Sequence, residues 1–143
     1  MTTPTDAQLA AIASTMEAFA RRFKMADAMS MEHPLNEIDK QTLFYVNDHP
    51  DCGPTDVARF LSVPATTLTS VADRLVKKKL LERGRAETDR RAVALRLSDS
   101  GKVQVKALTD SYQDMYRALL APLSPDDRDT LIRLLTTIVQ TEI

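Results

Sequence analysis

Apolar residues recur three and four positions apart over most of this chain, and that spacing predicts helices. Leu9, Ile12, Met16, Phe19 and Phe23 form one stripe on a helix expected from Thr5 to Phe23, opened by a capping box of Thr5 with Gln8. A second helix is expected to start near Asn36, a good N-cap, to carry Ile38, Leu43, Phe44 and Val46 inward, and to stop at His49-Pro50. Gly53-Pro54 sets a third helix through Val57, Ala58 and Leu61, with Pro54 suited to the first helical position. After Ser62-Val63-Pro64 a fourth runs from Ala65 to about Lys79, with Leu68, Val71, Ala72 and Leu75 on one face. The very short connection between the third and fourth reads as a helix-turn-helix.

The period then drops to two. Val93, Leu95 and Leu97 alternate with Ala94 and Arg96, the pattern of a half-buried strand whose partner is expected at Leu81 to Arg83. Between them Gly84 to Arg91 is polar and charged, so the unit reads as a β-hairpin with a basic tip, a wing. The helical period resumes after Ser98, a cap for a long helix carrying Val105, Leu108, Tyr112, Met115 and Leu119. Ser124-Pro125-Asp126-Asp127 opens the last helix, with Leu131, Leu134, Leu135, Ile138 and Val139 on its apolar face. The expected fold is mainly α with a small β-hairpin wing, in a single domain 1–143. A winged helix-turn-helix at 36–98 is flanked by long N- and C-terminal dimerisation helices at 5–30 and 100–143. Two apolar faces at opposite ends of the chain exceed what one small core absorbs, which predicts a two-fold homodimer.

Charge sharpens this picture. The net charge is −1, yet the segment from Arg74 to Arg96 holds nine basic residues against three acids, a local +6 within a remainder of −7. A compact basic segment in an acidic molecule attracts phosphate at one surface. The single cysteine, Cys52, makes no internal bridge, and one Cys with two His gives too few ligands for a structural zinc. No stretch approaches the roughly 18 apolar residues of a membrane span, and the start of the chain lacks a basic region followed by an apolar run, so a soluble cytoplasmic protein is expected. There is no glycine-rich phosphate loop, nucleophile elbow or His-assisted nucleophile, which argues against an enzyme, and no cofactor is expected.

A helix that enters the major groove needs an apolar back and a front of short polar and long basic side chains. Ala65 to Lys79 has that division. Thr66, Thr67, Thr69 and Ser70 are expected to reach base edges or phosphates, and Arg74 and Lys77 to anchor on phosphate, with Asp73 on the same side. At the hairpin tip Glu87-Thr88-Asp89-Arg90-Arg91 places an acid two residues before an arginine, so that Asp89 can aim Arg91 into a narrow minor groove beside Arg90. The partner these residues imply is double-stranded DNA with a roughly palindromic operator.

The run Thr55-Asp56-Val57-Ala58-Arg59-Phe60-Leu61, Asp73-Arg74-Leu75, Leu80-Leu81-Glu82-Arg83, Asp89-Arg90-Arg91 and Leu97-Ser98-Asp99-Ser100-Gly101 resembles the MarR family of winged-helix regulators. With the flanking helices the resemblance covers nearly the whole chain. It implies a dimer, duplex DNA binding and a small-molecule or oxidant inducer. It also implies that Arg91 is the wing arginine, Asp89 its supporting acid and Arg74 the basic residue of the recognition helix. Two positions depart from the family. Pro64 stands where Ser or Thr commonly caps the recognition helix, and Lys79 where a glycine often ends it, in a conformation glycine tolerates better. The expected function is sequence-specific DNA binding by a transcriptional repressor released by a small molecule; the alternative is a winged-helix protein-interaction module without sequence-specific DNA binding.

Three further features carry rival readings. Cys52 precedes a helix start, whose positive end favours thiolate and an oxidant switch, against an ordinary loop cysteine. His33 and His49 invite a metal, which their number and spacing disfavour. Tyr45, Tyr112 and Tyr116, with Met16 and Met115, either line an effector cavity or pack the core.

Overall fold

The computed structural model describes residues 2–23, 35–85 and 92–141. All but one of the described helices begin where a side chain satisfies amide groups at the helix start. α1 (Asp6–Phe23) opens on the reciprocal pair expected from the sequence: Thr5 N–H donates to Gln8 Oε1 at 2.9 Å and Gln8 N–H to Thr5 Oγ1 at 3.1 Å. α2 (Glu37–Asp48) opens the same way, with Asp39 N–H donating to Asn36 Oδ1 and Asn36 N–H to Asp39 Oδ2. α3 (Pro54–Leu61) carries Pro54 in its first turn, and the Asp56 carboxylate accepts from Gly53 N–H at 2.9 Å. α4 (Ala65–Lys77) follows after three residues. β1 (Leu81–Arg85) and β2 (Val93–Leu97) form an antiparallel pair in the register Leu81 with Leu97, Arg83 with Leu95 and Arg85 with Val93. α5 (Asp99–Leu120) and α6 (Pro125–Gln140) complete the chain, capped by Ser98 and Ser124.

The chain divides into two compact units, Met1–Val105 and Lys106–Ile143. In the first, the core gathers Leu43 and Val46 of α2, Val57 and Ala58 of α3, the Leu68, Val71, Ala72 and Leu75 face of α4, and Leu81, Leu95 and Leu97 of the hairpin. Each such side chain taken from water contributes about 1.5–3 kcal/mol if aliphatic and large. β2 is the central strand: besides β1 it pairs with Cys52, whose carbonyl accepts from Leu95 N–H at 2.8 Å while Asp51 N–H donates to Leu95 O at 3.1 Å.

That position corrects the simple alternation expected for β2. Ala94 and Leu95 point to opposite faces, yet both are fully buried, so the middle of the strand is covered on both sides. Val93, at the outer end opposite Arg85, is exposed. In α2, Ile38 and Phe44 are only half-buried, while three polar residues, Asp39, Lys40 and Thr42, are buried.

The connection from β2 into α5 is tight. Ser98 N–H donates to Leu80 O at 3.1 Å, and the Ser98 hydroxyl donates to Lys79 O and accepts from Gly101 N–H at 3.0 Å. A Cβ on Gly101 would stand 2.1 Å from Leu80 O, so close approach of two backbones explains this glycine. In the second unit Arg128 Nε donates to Leu120 O at 3.0 Å across the turn between α5 and α6. There Leu108 is the only buried residue among those described, and α6 buries none. α1 likewise buries none. Leu9, Ile12 and Met16 of α1, and Leu134, Leu135 and Ile138 of α6, are all about half exposed or more. None of the described helices is long and apolar enough to cross a membrane.

Candidate nucleic-acid interface

α4 is presented by two left-handed residues that are not glycine. Ser62, at φ 55°, ends α3, and Val63 N–H reaches back to Ala58 O at 3.0 Å. Pro64 then takes the N-cap position in extended backbone, and no side chain caps α4 there. The cap missing at this proline is therefore missing in the fold, but the helix start stays at Ala65. At the other end Lys79 adopts φ 63°, the glycine-favoured conformation expected of it. Leu80 N–H donates to Leu75 O at 3.0 Å and Lys79 N–H to Val76 O at 2.9 Å, a Schellman ending.

Between these ends the helix divides as its sequence predicts. The Leu68, Val71, Ala72 and Leu75 face is buried, and Thr66, Thr69, Ser70, Asp73 and Lys77 are exposed on the other side, with Thr67 and Arg74 half-buried. The Thr69 hydroxyl donates to Ala65 O at 3.0 Å and the Ser70 hydroxyl to Thr66 O at 3.3 Å, which leaves their oxygen lone pairs outward as acceptors. Lys77, Lys78 and Lys79 follow in succession, all exposed, and Arg83 and Arg85 stand on the adjoining β1. Asp89, Arg90 and Arg91, with Glu87, lie outside the described residues, as does His33.

Three ion pairs link different elements around this surface. Arg74 of α4 donates through Nη2 to Asp39 of α2, whose side chain is 2% exposed. Arg83 of β1 donates to Asp73 of α4. Arg96 of β2 donates through Nε to Asp51 in the turn after α2. Adjacent residues of α4 thus pair in two directions, one to the helix behind and one to the hairpin beside. Sequence reading missed Asp39 and Arg83 in these roles. The Asn36-x-x-Asp39 spacing marks a helix start, but its second use as a partner for Arg74, 35 positions away, leaves no local pattern.

The rival readings separate here. Cys52 is buried, and burial together with the nearby Asp56 carboxylate pushes its thiol from the ordinary 9.0 up to about 11. Burial and the carboxylate thus outweigh the helix start beside it, which favours the ordinary loop cysteine over the oxidant switch. His49 Nδ1 lies 3.2 Å from Tyr45 O and its ring stacks on Tyr45 with centroids 4.2 Å apart. Among the described residues no group of three or more His, Cys, Asp or Glu is placed to hold a metal. Tyr45 also packs against the exposed Phe60, and Tyr112 and Tyr116 stack at 6.3 Å. A shallow depression of about 200 Å³ in the first unit is lined instead by Val46, Asn47, Pro50, Arg96, Leu97 and Lys102.

Residues 33–92 match the model of the MarR family. The regulator PecS of Dickeya dadantii is 32% identical over 82 residues, which span 57% of this chain and 49% of that protein. The structure of FabT from Streptococcus pneumoniae, solved in complex with DNA, is similar at a TM-score of 0.78 with 20% identity, over 95% of this chain and 96% of that one. That of BpsR from Bordetella bronchiseptica, whose DNA binding is regulated by 6-hydroxynicotinic acid, is similar at 0.70 with 20% identity, over 99% of this chain and the whole of the other.

Proposed function

We propose that this chain, whose residues 33–92 match the model of the MarR family, is a sequence-specific, duplex-DNA-binding transcriptional repressor of that type. The observation that carries the reading is the exposed face of α4, where hydroxyls at one end give way to a run of cations at the other, over a fully apolar back. In this reading Thr66, Thr67, Thr69 and Ser70 meet base edges and nearby phosphates in the major groove, and Arg74 and Lys77 hold phosphate. Asp89 orients Arg91 toward the adjacent minor groove with Arg90 beside it, as the resemblance implies.

The working form is a homodimer. Apolar stripes left uncovered on α1 and α6 support it, since exposed apolar faces of that extent are stabilised by burial against a partner. Two-fold symmetry would place two recognition helices about one turn of DNA apart and match a roughly palindromic operator. Release by a small molecule, in the cytoplasm where the operator is, follows the precedent of BpsR.

The test is fluorescence anisotropy with DNA from around the protein's own gene and with a scrambled duplex, across a salt series. A dimer neutralising about six phosphates should lose about a thousandfold in affinity between 50 and 200 mM salt. Equal, salt-insensitive binding to both duplexes would refute the regulator and favour a protein-interaction module.

A further inference from the structure

Asp39 sits in the third position of α2, and its two oxygens do different work. Oδ2 accepts from Asn36 N–H at 3.1 Å and closes the capping box, while Oδ1 accepts from Arg74. The carboxylate is almost wholly inaccessible, whereas the Arg74 side chain is 40% exposed. Among the described residues the guanidinium donates to Asp39 alone. Its other N–H groups have no protein acceptor among the described residues, and Lys77, three positions on in α4, is exposed.

An unpaired arginine on a helix surface samples many rotamers and loses that freedom when it binds, which weakens each contact it makes. An arginine held by one edge has already lost it. Its planar fork can then serve two acceptors at once, a carboxylate behind and a phosphate in front, which a lysine's single ammonium cannot. The buried end of the arrangement is rigid as well, because Asp39 is itself fixed by the start of α2.

We propose that Asp39 is a positioning residue for DNA recognition: from the start of α2 it holds Arg74 by one edge and aims the remaining donors of the guanidinium at the phosphate backbone. The proposal deepens the regulator reading above and rests on it.

The test is a double-mutant cycle on the full-length chain, with operator DNA in a salt series and thermal melts alongside. Asp39→Asn keeps an oxygen for the Asn36 amide and sets an amide donor against Arg74. It should weaken operator binding by about five- to tenfold, as Arg74→Ala does, and each should make the log–log salt slope shallower by about two, one phosphate contact from each protomer of the dimer. In the double variant the losses should not add, because Asp39 acts only through Arg74. Arg74→Lys keeps the charge without the fork and leaves α2 intact, so it tests the same point even if Asp39→Asn fails to fold. It should bind like Arg74→Ala, its ammonium held on the buried carboxylate. Wild-type affinity and slope in Arg74→Lys, or fully additive losses in the cycle, would overturn the role given to Asp39 while leaving the regulator standing. Wild-type protein that shows no salt-dependent preference for its operator would bring down both.

Discussion

Gly101→Ala should destabilise this protein although it replaces a glycine in a helix by the best helix former. Propensity alone favours the change by about 1 kcal/mol. The added Cβ, however, would lie 2.1 Å from the Leu80 carbonyl oxygen, where real Cβ atoms stay beyond 3.0 Å, so one backbone must retreat by about 0.9 Å. The obstacle cannot swing aside, because Leu80 O accepts from Ser98 N–H and Leu80 N–H belongs to the Schellman ending of α4. Overpacking at about 1–3 kcal/mol, plus two disturbed hydrogen bonds at about 1 kcal/mol each, outweighs the propensity gain and leaves a net loss of about 2–4 kcal/mol. For a chain of this size that corresponds to a fall in Tm of about 5–15 °C, measured by circular dichroism at one fixed protein concentration so that dimerisation does not shift the midpoint. Gly84→Ala is the control: nothing lies within 4 Å of the Cβ it would add, and its Tm should change little. A Gly101→Ala protein that melts at or above the wild type would refute the packing argument.

Lys79→Gly should do the reverse. It relieves a left-handed residue costing about 1–2 kcal/mol, offset by glycine's backbone entropy of about 0.5–1 kcal/mol, for a net gain of about 0.5–1 kcal/mol in denaturant melts; an unchanged midpoint would show that φ 63° carries no strain here. With its thiol near 11 against 9.0 when unfolded, Cys52 should react with iodoacetamide at pH 8 about a hundredfold more slowly in the native protein than in urea, and equal rates would refute the burial. Because the folded thiol holds its proton longer, stability is unaffected below pH 9, falls as pH rises through 9 to 11 and levels off above, and an increase over that window would contradict the sign. Ile12→Glu with Leu135→Glu should convert a sedimenting dimer to monomer while the core of the first unit still melts cooperatively; an unchanged sedimentation coefficient would mean that these faces are not the interface.

The helices of this fold were largely legible because all but the one at Ala65 are marked at their start by a cap or capping box. Thr5/Gln8, Asn36, Gly53-Pro54, Ser98 and Ser124 are local signals, and a helix begins at each. Lys79 was legible only through the family resemblance, which sets a glycine where this chain must make the same turn without one. What escaped was long-range. Ala94 reads as an outward small residue until β2 is seen to be covered on both faces, and Asp39, Lys40 and Thr42 read as a polar helix surface until the fold buries them. The two readings of Cys52 were balanced on the same ground: position before a helix argues for thiolate, and desolvation with a neighbouring carboxylate, which only the fold shows, outweighs it. Nothing local distinguishes Asp73, which pairs forward with Arg83, from Arg74, which pairs back to Asp39.

Those pairs also bear on how a chain of net charge −1 can meet a polyanion. The ion pairs within single helices, Arg59 with Asp56, Lys106 with Asp110 and Arg117 with Asp114, are exposed and contribute little, because water screens them. The pairs that cross between elements are of another kind. They set acids behind or beside arginines at α2 with α4, α4 with β1, and the α2–α3 turn with β2. Asp73 would repel phosphate if it stood alone on the outer face of α4, but paired with Arg83 it adds no net charge there and ties the recognition helix to the hairpin that leads to the wing. Acids placed this way cancel the arginines they pair with and leave the positive field at this surface to Lys77, Lys78 and Lys79. Removing Asp73 should therefore leave the attraction to DNA intact or stronger while loosening the wing relative to α4. Asp73→Asn should accordingly raise affinity for scrambled duplex and lower the ratio of specific to non-specific binding, and an unchanged ratio would show that this pair has no part in aligning helix and wing.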